Sequence, residues 1–313
     1  MDRTEPIDEL LSSYPHKPFG WALSEGSQSL VEYLRSQLAH DIESGGMVKT
    51  YYLGGKVVGL CATCPDTWAS QELRRRAYRV TQLMAMGKTE AQLLIKTLLL
   101  NEALRDLRGA CCLVANVPYS DLTSINALER TGFVATQTSL VLARDLENAE
   151  ADTTADAGYE VATVGEDDFD RLLRQAAMEI PDGFLGWDSG LPQGTVTRIH
   201  NDWLRSYAHE KNLRVASDHG RPVGLLAERV RTDTTPTLGF SVGAIDLVAT
   251  VPEYRNNGVA GHLVMDTLRS FKADGVRLAE MKVHSAITPT AAGLGVSGFA
   301  PVGTTVTMTN WRH

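Results

Sequence analysis

Apolar residues recur along the chain at two periods, near two and near 3.6, and their alternation predicts the elements. In the second half "YEVATV" reads as a strand and "EDDFDRLLRQAAMEI" as an amphipathic helix with acidic residues in its first turn. "TVTRIHNDWLRSYAHE" has the spacing of a second helix. "NLRVASDHGRPVGLLAERV" reads as a hairpin, and "FSVGAIDLVATV" as a long strand. From Asn256 onward Ala260, Leu263, Val264, Leu268 and Phe271 share one helical stripe, which Gly275 closes. A strand over "RLAEMKVHSA", a short helix over "TPTAAGLGVSG" and a closing strand over "PVGTTVTMTNW" complete the half. The class predicted is α/β, a mixed sheet with helices on its faces.

The first half repeats this order. "GKVVGL" (Gly55–Leu60) and "GRPVGL" (Gly220–Leu225) each follow an apolar strand-like stretch and begin 165 residues apart. "ALERTGF" ends at Phe133 and "GLGVSGF" at Phe299, 166 residues apart. Two independent landmarks at nearly one offset imply two copies of one fold. The stretch "LENAEADTTADAG" between them has no apolar period and reads as a linker. The domains expected are 1–147 and 158–313, joined by a linker at 148–157.

Composition narrows the function classes. The 313 residues carry a formal net charge of −8, against the basic face of a nucleic-acid or anionic-membrane binder. The one basic cluster, Arg74, Arg75 and Arg76, reads as a solvated face. "MDRTEPIDELL" lacks the basic-then-apolar pattern of a signal peptide, and no apolar run reaches the roughly 18 residues of a membrane span. A cytoplasmic protein with neither nucleic-acid nor membrane partners is expected. Cys61, Cys64, Cys111 and Cys112 make a poor disulfide framework, and Cys61-Ala-Thr-Cys64 has the CxxC spacing but no second CxxC and no His partner, so no metal is expected.

The run "VPEYRNNGVAGHL", residues 251–263, carries the candidate chemistry. It ends a strand and opens a helix with residues poor at building a core. Gly258 and Ala260 let a ligand approach the backbone, and the first turn of the helix offers unpaired N–H donors at its positive end. Such a turn suits a pyrophosphate, and Arg255 adds charge. The arrangement Arg-x-x-Gly-x-Ala, with the strand before it, the helix after it and a "GF" some 40 residues on, resembles the acetyl-CoA loop of the GNAT N-acetyltransferases. The resemblance covers nearly all of 158–313. It implies two tandem GNAT-like domains, with acetyl-CoA as acyl donor on Arg255, Asn256, Asn257, Gly258, Val259, Ala260 and Gly261. It further implies that strand residues Leu247, Val248, Ala249 and Thr250 meet the donor, Val248 and Thr250 pairing with the pantetheine arm. In copy one Met86-Gly87-Lys88-Thr89 stands in the loop's place without the Arg or the second small residue, so that half looks degenerate. More loosely, the tandem is similar to the TDP-fucosamine acetyltransferases, which acetylate an amino group on a nucleotide-linked sugar.

Acetyl transfer to an amine needs a proton acceptor. Asp246, nine residues before Arg255 on the same strand, is the first candidate and His284 on the next strand the second. Carbonyl polarisation is expected from backbone amides near Leu247–Ala249, where the family splays a bulge. The family's general-acid Tyr is missing: Leu294 stands there, with Ile287 in place of an upstream Asn and Leu128 at the matching position of copy one. Ser285, Tyr254 and water stay open as substitutes. Trp187, Trp203 and Tyr207 lie in the helical part that covers the acceptor in the family. The reading is an acetyl-CoA-dependent N-acetyltransferase acting on a small-molecule amine. The alternatives are a non-catalytic acyl-CoA-binding module, and transfer of another acyl group or to a thiol. Monomer and homodimer both stay open.

Overall fold

A computed structural model describes residues 7–23, 27–107, 109, 111–148, 158–167, 169, 193–284 and 298–312. The chain packs as two compact units, Met1–Ser139 with Gly303–His313, and Leu140–Val302. Among the described residues the elements are α1 (Asp8–Ser13), α2 (Gln28–Glu43), β1 (Met47–Leu53), β2 (Lys56–Pro65), α3 (Thr67–Leu73), β3 (Arg76–Ala85), α4 (Thr89–Asp106), β4 (Cys111–Pro118), α5 (Leu122–Arg130) and β5 (Val134–Asp145). They continue with β6 (Glu160–Thr163), α6 (Gln193–His209), β7 (Leu213–Asp218), β8 (Arg221–Arg231), α7 (Thr235–Leu238), β9 (Val242–Thr250), α8 (Val259–Ala273), β10 (Leu278–His284) and β11 (Ala300–Arg312). The fold is the mixed α/β sheet with flanking helices that the periodicity predicts. All but Asn148 of the linker 148–157, most of the helix expected at 166–180 and all but Gly298 of the short helix at 288–298 fall outside the described residues.

The first unit orders its strands β1-β2-β3-β4-β11, antiparallel except for the parallel pair β3–β4. The second orders them β6-β7-β8-β9-β10, with β9–β10 parallel and β5 beyond β10. The closing strand "PVGTTVTMTNW", expected with residues 158–313, therefore lies along β4, from Thr305 opposite Pro118 to Arg312 opposite Cys111. Its apolar side chains decide this: Val306 and Met308 are buried in the first unit's core beside Leu113 and Phe133. Conversely Leu142 and Leu146 join the second unit's core, and the Leu146 N–H donates to the Arg277 carbonyl at 2.7 Å.

The duplication extends into backbone detail. The β1–β2 turn has Gly54 and Gly55 at φ 59° and 82°, and the β7–β8 turn has His219 and Gly220 at φ 48° and 78°. Two consecutive positive φ values make the tight hairpin turn that matches strand twist. Both hairpins slip register just before the turn, at Tyr51/Tyr52 and at Ala216/Ser217. A second slip falls one strand later in each unit. Thr81 has no partner between Ala62↔Gln82 and Thr63↔Val80, and Asp246 has none between Ala227↔Leu247 and Glu228↔Ile245. Each is a β-bulge, one extra residue that bends its strand.

The helix over each sheet buries the predicted stripe. In α8 Val259, Leu263, Val264, Leu268 and Phe271 are buried, while Ala260 is only half-buried. In α4 the same role falls to Ile95, Leu99, Leu100, Ala103 and Leu104. All four cysteines are buried and free, and burial pushes the Cys61 thiol up to about 12. No described helix is long and apolar enough to cross a membrane.

Candidate active site

The site lies in the second unit, where two parallel strands part. Pairing between β9 and β10 runs from Val242↔Leu278 to Ile245↔Met281 and stops there. Yet β9 continues to Thr250 and β10 to His284. The bulge at Asp246, the next residue, turns β9 away and opens a wedge. Which groups face it follows from the other ladder. The Val251 N–H donates to the Val223 carbonyl at 2.9 Å. In an antiparallel pair such residues alternate, so Ala249 also faces β8, whereas the amides and carbonyls of Val248 and Thr250 point into the wedge. An extended ligand there gains backbone partners as an added strand does. Of the four strand residues expected at the donor, Val248 and Thr250 present backbone to the wedge. Ala249 spends its own on β8, and Leu247, opposite Ala227, packs on the α6 side.

Beyond the wedge the chain makes a single 3₁₀ turn over Pro252–Tyr254 and then the predicted loop. Arg255 is extended, Asn256 sits at φ 66° and Gly258 at φ 83° as the residue before α8. Asparagine tolerates this left-handed region, and glycine enters it without penalty. Gly258 brings no side chain to cap the helix, so the first-turn amides of Val259, Ala260 and Gly261 have no acceptor within it. Arg255, Asn256, Asn257 and Gly258 are exposed. A methyl added at Gly258 or at Gly261 would meet nothing within 4 Å. Nothing in the chain itself requires glycine at 261, which sits in a helix where alanine is preferred. An exposed row of amides with open space before it fits the diphosphate of an acyl-CoA. The loop is braced from behind: the Tyr159 hydroxyl donates to the Asn257 carbonyl at 3.1 Å. The Tyr254 hydroxyl donates to Asp218 at 2.9 Å, and this bond raises its proton affinity, which makes Tyr254 a poorer proton donor.

Asp246 stands where the wedge opens, and both of its oxygens are engaged. Arg229 on β8 approaches Oδ2 through Nε at 2.9 Å and donates from Nη2 to Oδ1 at 3.2 Å. The Tyr207 hydroxyl donates to Oδ2 at 2.8 Å. Tyr207 comes from α6, with its ring edge-on to Trp203 at 5.0 Å. Burial and the neighbouring Asp246 carboxylate together push its phenol far above the usual range. His284 ends β10, three residues past the last paired position, on the other arm of the wedge. Ser285, Ile287, Leu294 and Trp187 fall outside the described residues. The Arg229–Asp246–Tyr207 cluster escaped the sequence reading, since a bulge one residue upstream of Leu247 leaves no local signature.

The first unit has the same bulge and the same parting of strands, after Val80↔Ala115, but its slot is filled. Gly59 faces Ile95 and Leu99 just as Gly224 faces Val259 and Leu263, so Ile95 is the counterpart of Val259 and Lys96 of Ala260. Here the helix starts at Thr89, six residues earlier than in the second unit. The stretch matching Arg255–Gly258 is thus helical, and the amides of Ile95 to Thr97 are bonded to carbonyls four residues back. Residues 86–88 are a short connection between β3 and this longer helix, which opens at Thr89. Lys96, wholly buried, contacts Asp121 at 2.9 and 3.1 Å, and Thr123 and Ser124 at 2.8 Å each. Ser124 Oγ lies 3.3 Å from the Leu83 carbonyl, on the open edge of β3. Burial works against the Asp121 carboxylate, but Lys96 and the bonds from Ser124 outweigh it and hold the group down to about 2. Burial also lowers the proton affinity of Lys96, which Asp121 only partly restores; the carboxylate has the fuller set of partners, and the pair is ionic at neutral pH. The readable signal was a lone lysine inside "LLIKTLLL".

Among the described residues no group of three or more His, Cys, Asp or Glu side chains could hold a metal ion. Residues 183–286 match the family described as Acetyltransferase (GNAT) domain, a stretch that takes in Asp246, the loop and His284. A search of curated proteins returns no match. Among solved structures the chain is similar to a GCN5-related N-acetyltransferase from Sphaerobacter thermophilus, with 14% identity, 98% of this chain and 91% of that one covered, and a TM-score of 0.59. It is also similar to a GCN5-related glucosamine N-acetyltransferase region of a fungal multi-domain GH3 β-N-acetylglucosaminidase, at 16% identity, 98% and 37% coverage and TM-score 0.58. A GNAT-family acetyltransferase from Colwellia psychrerythraea matches at 11% identity, 100% and 98% coverage and TM-score 0.51. These likenesses establish a GNAT-like fold, and the domain match supports acyl transfer from acyl-CoA.

Proposed function

We propose that the chain is an acetyl-CoA-dependent N-acetyltransferase acting on a small amine, with its donor site in the second unit. The observation that carries this is the row of acceptor-less amides at Val259–Gly261, continuous in sequence with a strand whose Val248 and Thr250 backbone faces an open wedge. Diphosphate on the first and pantetheine along the second would set the thioester where the wedge opens, near Asp246. There the amine nitrogen attacks the thioester carbonyl. A C–N bond forms, the C–S bond breaks, and the nitrogen gives up one proton while the sulfur departs as thiolate. A thiol of ordinary pKa near ~8.5 leaves tolerably without a protein acid, which suits a chain with Leu294 at the family's Tyr position. We assign proton acceptance to His284, which ends β10 on the other arm of the wedge, and give Asp246 the holding of Arg229. A nucleotide-linked amino sugar is the finer form of the acceptor proposal.

Titration calorimetry with acetyl-CoA, followed by thiol release over a panel of amines, tests the reading. Binding with amine-dependent release supports it. Binding without turnover on any amine favours a non-catalytic acyl-CoA-binding module, and absence of binding ends both.

A further inference from the structure

An exposed cation lies against the residue at which the wedge opens. Asp246 is only 21% exposed, whereas the Arg229 side chain that covers it is 56% exposed. A guanidinium has five N–H donors in a fixed fork, and Arg229 spends two of them on Asp246. One nitrogen meets each oxygen, which fixes the orientation of the fork as well as its position. Tyr207 also holds Asp246, at Oδ2, through a hydroxyl on a buried ring that is itself backed by Trp203. The arrangement is therefore a mounted cation: a helix braces a carboxylate, and the carboxylate holds an arginine beside the point where β9 and β10 part. A plain amine, protonated in solution, gains nothing from meeting it. An amine with its own negative group does, because that group pairs with the free edge of the guanidinium.

We propose that Arg229 selects the acceptor, binding an anionic group, carboxylate or phosphate, carried by the same small molecule as the reacting amine. Asp246 and Tyr207 are then positioning residues, acting through Arg229. The proposal rests on reading this wedge as an acyl-transfer site.

The test uses the full chain, acetyl-CoA and four probes: L-glutamate (carboxylate), glucosamine 6-phosphate (phosphate), and glucosamine and spermidine (no anionic group). The anionic probes are expected to show kcat/KM at least about tenfold above the other two, and their ranking tells carboxylate from phosphate. Arg229→Gln should raise KM for the preferred probe by about 10- to 100-fold, the range of one charge-assisted hydrogen bond. The acetyl-CoA Kd should stay unchanged, and Arg229→Lys should recover part of the loss. Tyr207→Phe should raise the same KM by a smaller factor with kcat unchanged. Equal or better use of glucosamine or spermidine overturns the proposal, as does an Arg229→Gln protein with unaltered KM. So does a protein that binds acetyl-CoA yet turns over neither anionic probe. If acetyl-CoA does not bind at all, the acyl-transfer reading itself has failed, and calorimetry shows that before any acceptor is added.

Discussion

Gly224 on β8 and Val259 at the first turn of α8 touch so closely that a methyl group on the glycine would stand 2.5 Å from Val259 Cγ1. This contact sets the height of the amide row over the sheet. Gly224→Ala should push the start of α8 outward, lowering stability by ~1–3 kcal/mol through overpacking and weakening acetyl-CoA binding together. Gly59→Ala, which meets Ile95 and Leu99 in the first unit, should cost similar stability and leave donor affinity alone. Urea denaturation and calorimetry on both variants check this pairing.

Gly261 separates folding from binding in the other direction. Its added methyl meets no atom of the chain, and alanine is favoured over glycine in a helix by roughly 0.5–1 kcal/mol. Gly261→Ala should therefore keep or raise thermal stability while weakening acetyl-CoA binding. Loss of affinity without loss of Tm is the signature of a ligand seated against that position.

One donor per chain is the expected stoichiometry, because Lys96 and the longer α4 fill the first unit's slot. Gly258→Val should abolish the calorimetric signal entirely, with no residual site. A second equivalent of binding, or heat that persists in the variant, would count against the filled slot.

The Lys96–Asp121 pair is costly to break. Lys96→Met leaves a buried carboxylate with hydroxyl and amide partners only, and should destabilise the protein by ~3–5 kcal/mol. Lys96→Met combined with Asp121→Asn should cost less than the two single changes summed, since the double variant buries no charge. Asp121 also links stability to acid. Its folded value is held down to about 2 against roughly 3.9 in the unfolded chain. A depressed carboxyl stabilises above the unfolded value, so ~2–3 kcal/mol present above pH ~4 should be lost as pH falls toward ~2. Asp121→Asn should flatten that limb of a stability-versus-pH curve.

His284 and Asp246 should fail differently. His284→Gln is expected to lower kcat by ~10²- to 10⁴-fold, the range of one general base, with KM for the acceptor little changed. Asp246→Asn should act chiefly on acceptor KM, as Arg229 loses its mount. Steady-state kinetics on the most active amine, with acetyl-CoA saturating, distinguishes the two outcomes.

Periodicity and turn chemistry are local, so the sequence alone determined the strands, the helices over 193–209 and 259–273, and the two glycine hairpins. It also located the loop from Arg255 to Gly261, because a strand end, a left-handed glycine and small residues at a helix start are neighbours in the chain. The duplication was legible from two offsets for the same reason. Only the tertiary structure decided that the last strand packs beside Cys111–Pro118, that Asp246 is a bulge residue clasped by Arg229 and Tyr207, and that Lys96 occupies the place of Ala260. Each of these depends on a register or a contact between segments far apart in sequence. A one-residue slip in such a pairing turns every following backbone group to the other edge, and nothing in the order of residues marks where that slip occurs.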